Sequence, residues 1–282
     1  MRFSFTLDGG LGDFILKYLG KPGNRIASLL RACEIDLRMV AGQTAGHQLL
    51  EGNPFFKRSE IFPPTSYKVR NLKRDDISFI GGLESYKKIQ VPLWLSEEEE
   101  KIFNGLKRPY AVMHPYASNF VRDLRCAFSI PDLAQWVADY SGIPLVVLGQ
   151  EEFGYESSNV INLTGKGSPR LACKIVEHSV FFIGSHSSMQ CAASVYEVPG
   201  FCMGPGSIMF HDFSAPNSYK NYLRPLFLNN SMFMFFSEAD KFKNFFTQFL
   251  SQATALTPQL TPELTRRRIT LSNRVLADCT SL

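Results

Sequence analysis

Near the start of this 282-residue chain a carboxylate stands directly behind a glycine loop. The segment Asp8-Gly9-Gly10-Leu11-Gly12-Asp13 follows an apolar run and opens a stretch of helical spacing. Glycines there let a backbone approach a ligand closely. A helix dipole stabilises Asp13 as an anion, which makes it a candidate general base and equally an ordinary capping Asp. The spacing differs from G-x-G-x-x-G, and no G-x-x-x-x-G-K-[ST] occurs, so neither a dinucleotide fingerprint nor a P-loop is present.

A second group of chemically able residues follows the later apolar runs. Ser185-His186-Ser187-Ser188 lies between an apolar run and a helical stretch. Its amides can point at an anion, or its serines can simply cap the helix. Ser118, Gln150, Glu151 and Thr164 each follow an apolar run in the same way. Ligands of open parallel sheets bind at the carboxyl ends of strands, so these residues would line one rim suited to a nucleotide or sugar phosphate. Arg122 and Arg125 lie just past Ser118. An arginine there can neutralise a diphosphate through two parallel hydrogen bonds, although a solvated surface charge is the commoner fate. No D-x-D pair exists, which disfavours a nucleotide anchored through a carboxylate-held divalent metal. No metal site and no cofactor is expected.

The elements that must position these residues alternate between strand and helix. Arg2–Leu7, Ile35–Val40, Ser59–Phe62 and Ile77–Ile80 read as strands in the first part. Arg25–Ala32 and Thr44–Leu50 have helical spacing, and Ser96 caps a helix with an acidic first turn that runs to about Leu106. Lys107-Arg108-Pro109 breaks the pattern, and a second series begins. Its strands are Tyr110–Met113, Leu145–Leu148, Val160–Leu163, Val180–Ile183 and Gly200–Met203. Its helices are Pro131–Tyr140, Pro169–His178, Ser187–Tyr196 and Ser237–Leu250, the last with Phe242, Phe245, Phe246 and Phe249 on one stripe. Alternation of this kind signals an α/β chain with parallel sheets. The chain thus reads as residues 1–107, residues 108–253 and a polar extension over 254–282.

Composition sets the outer bounds. Hydrophobic content of 45% with 20% charged residues describes a folded chain, not a disordered one. The net charge of +4 over the whole length is too small to signal a nucleic-acid binder, and no run of 18 apolar residues could span a bilayer. Six cysteines form no C-x-x-C pair and sit mostly in apolar segments. Without a signal-peptide pattern at Met1–Thr6, the expectation is a reduced, cytoplasmic protein, with peripheral contact at the inner face of the membrane as an option.

Taken in order, several segments resemble the ADP-heptose:lipopolysaccharide heptosyltransferase family, inverting glycosyltransferases with two Rossmann-like domains in the GT-B architecture. They are Gly9–Asp13, Leu49–Pro54, Met113-His114-Pro115-Tyr116-Ala117-Ser118, Asn162–Lys166, Ile183–Ala193 and Cys202-Met203-Gly204-Pro205. The resemblance spans most of residues 3–206. It implies an α/β fold of two Rossmann-like domains with a cleft between them, 1–107 facing the acceptor and 108–253 the nucleotide-sugar donor. It implies that Asp13 deprotonates the acceptor hydroxyl from a loop formed by Gly9, Gly10 and Gly12. It further implies that Ser118 and Arg125 hold the donor diphosphate and that Ser185–Ser188 form a phosphate-binding helix start. The family carries an Asp where this chain has Ser185 and a His where it has Gln190.

The expected activity is inverting, metal-independent transfer of a sugar from a nucleotide-diphosphate donor to a carbohydrate or lipid-linked glycan. Three other readings compete. A sugar-nucleotide epimerase or hydrolase needs further acid and base groups, for which Glu151 and His114 are candidates without paired spacing. A degenerate, non-catalytic binding protein follows if the substitution at Ser185 abolished donor binding. A transferase acting on nucleic acid needs Lys68, Arg70, Lys73, Arg74, Lys87 and Lys88 along a cleft, whereas such charges usually form a scattered, solvated surface.

Overall fold

The computed structural model describes residues 2–7, 11–12, 15, 34–40, 48–49, 51, 56–62, 93–116, 129–185, 187–196, 198–204, 231–235, 243–244 and 246–250. The chain divides into two units, one of residues 1–105 together with 167–175, the other of residues 106–166 together with 176–282. The expected strand Ile77–Ile80, the helix Arg25–Ala32 and the 254–282 extension lie outside the described residues.

In the first unit, β1 (Arg2–Leu7), β2 (Glu34–Val40) and β3 (Phe56–Phe62) form a parallel sheet in the order β1-β2-β3. β3 begins three residues before the expected start. Its register against β2 jumps between Ile35, opposite Phe56, and Asp36, opposite Arg58. The extra residue is a bulge that accommodates the added length. Helix α1 (Glu97–Gly105) starts where its acidic turn predicts. Ser96 and Glu99 close a capping box: the Ser96 amide donates to Glu99 Oε2 at 2.8 Å and the Glu99 amide to Ser96 Oγ at 3.3 Å.

The second unit is built on a six-stranded, all-parallel sheet. Its strands are β4 (Ala111–His114), β5 (Leu145–Val147), β6 (Val160–Asn162), β7 (Phe182–Ser185), β8 (Gly200–Gly204) and β9 (Ser231–Phe235). They lie in the order β6-β5-β4-β7-β8-β9. This is the strand order of a doubly wound nucleotide-binding sheet, with its reversal between β4 and β7. β9 has no counterpart among the expected strands.

Helix α2 (Ile130–Ser141) connects β4 to β5, and α4 (Ser188–Val195) connects β7 to β8. Between β6 and β7 runs α3 (Pro169–Glu177), most of which belongs with the first unit. Pro131 suits the opening of α2, where no intrahelical N–H is required. Gly142 ends the helix in the left-handed region at φ 65°, and its amide donates to Ala138 O at 2.9 Å.

The core of the second unit joins β4, β5, β7 and α2 to a helical stretch at residues 246–250. Phe246 and Phe249 pack on Phe181 and Phe201, mostly edge-on, with ring centroids 5.3–6.0 Å apart. The aromatic stripe expected of the last helix thus has a physical destination at these two positions.

Candidate functional site

Where adjacent strands of an open sheet send their connections to opposite faces, a crevice opens at their carboxyl ends. Here those strands are β4 and β7. β4 ends at His114, followed by Pro115 and Tyr116; β7 ends at Ser185, and α4 starts three residues on. The two strands approach closely, since a Cβ on Gly184 would collide with the His114 backbone.

Ser185 is fully buried, and its hydroxyl donates to the carbonyls of Tyr116 at 3.0 Å and His114 at 3.3 Å. Ser187 behaves differently. Its carbonyl accepts the Cys191 amide at 3.3 Å, which makes it the N-cap of α4. Its Oγ is nevertheless buried and has no hydrogen-bond partner among the described residues. A buried hydroxyl without a partner is costly, and at the amide-rich, positive end of a helix it is suited to receive a ligand oxygen. Ser188 is half-buried beside it.

The neighbouring strand ends complete this rim. Gly149 follows β5, and the Tyr116 ring lies so near that a Cβ on Gly149 would be 2.6 Å from it. Gln150 and Glu151 are exposed beyond that glycine. After β6, Asn162 Oδ1 accepts the Thr164 amide at 2.9 Å and the Thr164 hydroxyl at 2.7 Å, an Asx turn. Thr164 Oγ1 also accepts the Phe153 amide at 3.1 Å. The Thr164 hydroxyl therefore builds its loop, and Gly165, at φ 69°, takes the left-handed conformation that follows. The Gly165 amide donates to Gly149 O at 2.8 Å, tying the loops after β5 and β6 together.

The second unit thus brings Gln150, Glu151, Thr164, Ser185, Ser187 and Ser188 to strand ends of one sheet. Ser118, Arg122, Arg125 and His186 lie outside the described residues. In the first unit, Leu11 and Gly12 are helical and half-buried, and Ile15 is fully buried. Gly9, Gly10 and Asp13 lie outside the described residues.

One cluster in the first unit was invisible to sequence reasoning. Glu99, already in the capping box, accepts Arg170 Nε at 2.7 Å, the Ser168 amide at 3.3 Å and the Ser168 hydroxyl. Arg170 Nη1 reaches the Glu51 carbonyl at 2.9 Å and the Glu51 carboxylate at 3.2 Å. Burial pushes the Glu99 carboxyl up, but the hydrogen bonds from Ser168, Ser96 and Arg170 and the Arg170 charge outweigh it, so its pKa is lowered. Ser96 and the acidic turn after it announced the cap, but nothing local announced an arginine 71 positions away.

Among the described residues no group of three His, Cys, Asp or Glu side chains could hold a metal ion, and no helix is long and apolar enough to cross a membrane. Cys173 and Cys191 are buried and not joined in a disulfide.

No protein-family model matches the sequence, and no curated protein matches it. Solved structures do. ADP-heptose lps heptosyltransferase II of E. coli superposes with a TM-score of 0.51 at 13% identity, over 99% of this chain and 99% of that one. The E. coli heptosyltransferase WaaC, solved with ADP, gives a TM-score of 0.51 at 12% identity, over 90% of this chain and 99% of that one. At such identities the likeness speaks for the fold, which is the α/β, GT-B-class fold that these glycosyltransferases adopt.

Proposed function

We propose that this chain is an inverting glycosyltransferase that moves a sugar from a nucleotide-diphosphate donor to a hydroxyl of a carbohydrate or lipid-linked glycan. The observation that carries the reading is Ser187: a buried hydroxyl without a partner among the described residues, at the N-terminus of α4, where β4 and β7 diverge. A phosphate oxygen is the ligand group such a position suits. The two similar folds support the donor class, since one acts on ADP-heptose by name and the other was solved with ADP.

In this reading the leaving diphosphate meets the α4 amides, Ser187 and the guanidinium groups of Arg122 and Arg125. Positive potential there stabilises charge that develops as the glycosidic bond breaks. Asp13 takes the proton of the acceptor hydroxyl as it attacks the anomeric carbon from the opposite face, which inverts the configuration. Neither step requires a metal.

A thermal-shift panel of ADP-, GDP-, UDP- and CDP-sugars tests the donor class, because a ligand that binds the native state raises its apparent stability. At least one donor should raise the melting temperature of the wild type, and the shift should shrink in Ser187→Ala. A flat response to every donor sinks the proposal. Turnover that survives EDTA and yields the inverted anomer supports the finer mechanism; loss of turnover restored by a divalent ion removes its metal-independent part.

A further inference from the structure

Ser185 occupies the rim but directs its hydroxyl elsewhere. We propose that Ser185 is a positioning residue that fixes the exit of β4, acting through Tyr116, and is not a ligand contact. The link to nucleotide binding rests on the function proposed above; the positioning role does not.

β4 and β7 pair in parallel as Val112 with Phe182, Met113 with Ile183 and His114 with Gly184. The next pair in register is Pro115 with Ser185. Tyr110 and Val112 bond the β7 side, whereas Ala111 and Met113 bond the β5 side, so Pro115 turns its missing N–H toward β5 while His114 and Tyr116 face β7. Where the paired residues end, the Ser185 side chain adds a further tie. Its hydroxyl donates to the carbonyl on either side of the proline, His114 O at 3.3 Å and Tyr116 O at 3.0 Å. One proton shared between two acceptors thus ties both carbonyls that flank Pro115 to β7.

Tyr116 is then held at two points. Its carbonyl is tied to β7 through Ser185, and its ring rests against Gly149 at the end of β5. The Ser185 hydroxyl and Gly149 therefore act on the direction in which the chain leaves β4 at Tyr116. The sequence that follows contains Ser118, Arg122 and Arg125. Ser185 itself is fully buried, with both hydroxyl contacts made to backbone. A carboxylate at this position would face two carbonyl oxygens with no proton to offer them.

Amide hydrogen exchange of the full-length, ligand-free chain decides the positioning role. In Ser185→Ala, the peptide covering residues 116–128 should exchange about fivefold faster, the change expected from losing one net hydrogen bond. Peptides from β5, β6 and α2 should keep wild-type rates. Unchanged exchange in 116–128, or a uniform rise across the unit, overturns the proposal. Ser185→Asp should lower the melting temperature more than Ser185→Ala; a smaller loss than with Ala also overturns it.

Affinity for ADP and UDP as probes separates the indirect role from direct contact. Ser185→Ala and Tyr116→Ala should each weaken binding, and the double variant should lose no more than the worse single one, because both act through the same placement. Additive losses mean that Ser185 touches the ligand. A wild type that binds neither probe, nor any donor in the panel, defeats the proposed function, while the exchange result still decides the role of Ser185.

Discussion

Arg170 Nε lies 2.7 Å from Glu99 Oε2, and both side chains are more than 90% buried. This ion pair is embedded in further hydrogen bonds. The Glu99 oxygens are also held by Ser96 and Ser168, and the guanidinium also holds the Glu51 carbonyl. Charges so far from water persist only when nearly every donor and acceptor is matched.

Removing one member should therefore cost far more than a surface ion pair would. Glu99→Ala strands the guanidinium and undoes the capping box, and about 3–5 kcal/mol of stability is the expected loss. Replacing both residues with apolar ones of similar volume should cost less than either single change, because no buried charge is left alone. Denaturant titration of the three variants measures the order.

The same carboxylate fixes how this part of the chain responds to acid. Its pKa in the folded chain is lowered from the usual 4.5. As pH falls below that value, the unfolded chain takes up the proton first, so the stabilisation is complete above about pH 4.5 and is lost progressively below it. Melting temperatures followed from pH 7 to pH 3 should fall more steeply for the wild type than for Glu99→Gln, which has no proton to bind at this position.

Gly184 leaves no room beside β4. The nearest atoms to an added Cβ are the carbonyl and amide of His114, which are backbone and cannot rotate away. Gly184→Ala should cost about 1–3 kcal/mol as the strands move apart. The displaced crevice should also weaken nucleotide binding beyond what Gly105→Ala does, since Gly105 has open space around it. Calorimetry on both variants makes the comparison.

The proposed base and the proposed phosphate contact should separate kinetically. Asp13→Ala should slow transfer by about 10²–10⁴-fold with little change in donor affinity. Ser187→Ala should do the reverse, weakening donor binding about fivefold, the scale of one hydrogen bond, with a smaller change in kcat. Unchanged turnover in Asp13→Ala rejects that assignment.

Much of the scaffold was legible in the sequence. β1 spans Arg2–Leu7 as expected, and the cap at Ser96 and the opening of α2 beside Pro131 fall where local chemistry puts them. Elements with a punctuating residue can be read because the signal is local. β9 was missed because Ser-Met-Phe-Met-Phe has neither strict alternation of polar and apolar residues nor a flanking Gly or Pro nearby. The serines at the ends of β7 and α4 were legible as a group. Their division of labour was not, because it depends on which carbonyls the register of β4 against β7 brings within reach of Ser185 and leaves away from Ser187. The Glu99–Arg170 pair was hidden for a similar reason: its partners meet only after both helices have formed and docked.

The aromatic packing on α2 has an optical consequence. The chain contains two tryptophans, Trp94 in the first unit and Trp136 in the second. Trp136 stacks on Tyr140 with ring centroids 4.7 Å apart and meets Phe246 edge-on at 5.6 Å. Tyr140 is in turn hydrogen-bonded to Thr247 at 2.7 Å. Trp136 fluorescence therefore reports whether the 246–250 stretch is seated on α2. With Trp94→Phe and Trp136→Phe as single-emitter chains, each unit carries its own intrinsic fluorophore, and its unfolding can be followed without an added dye.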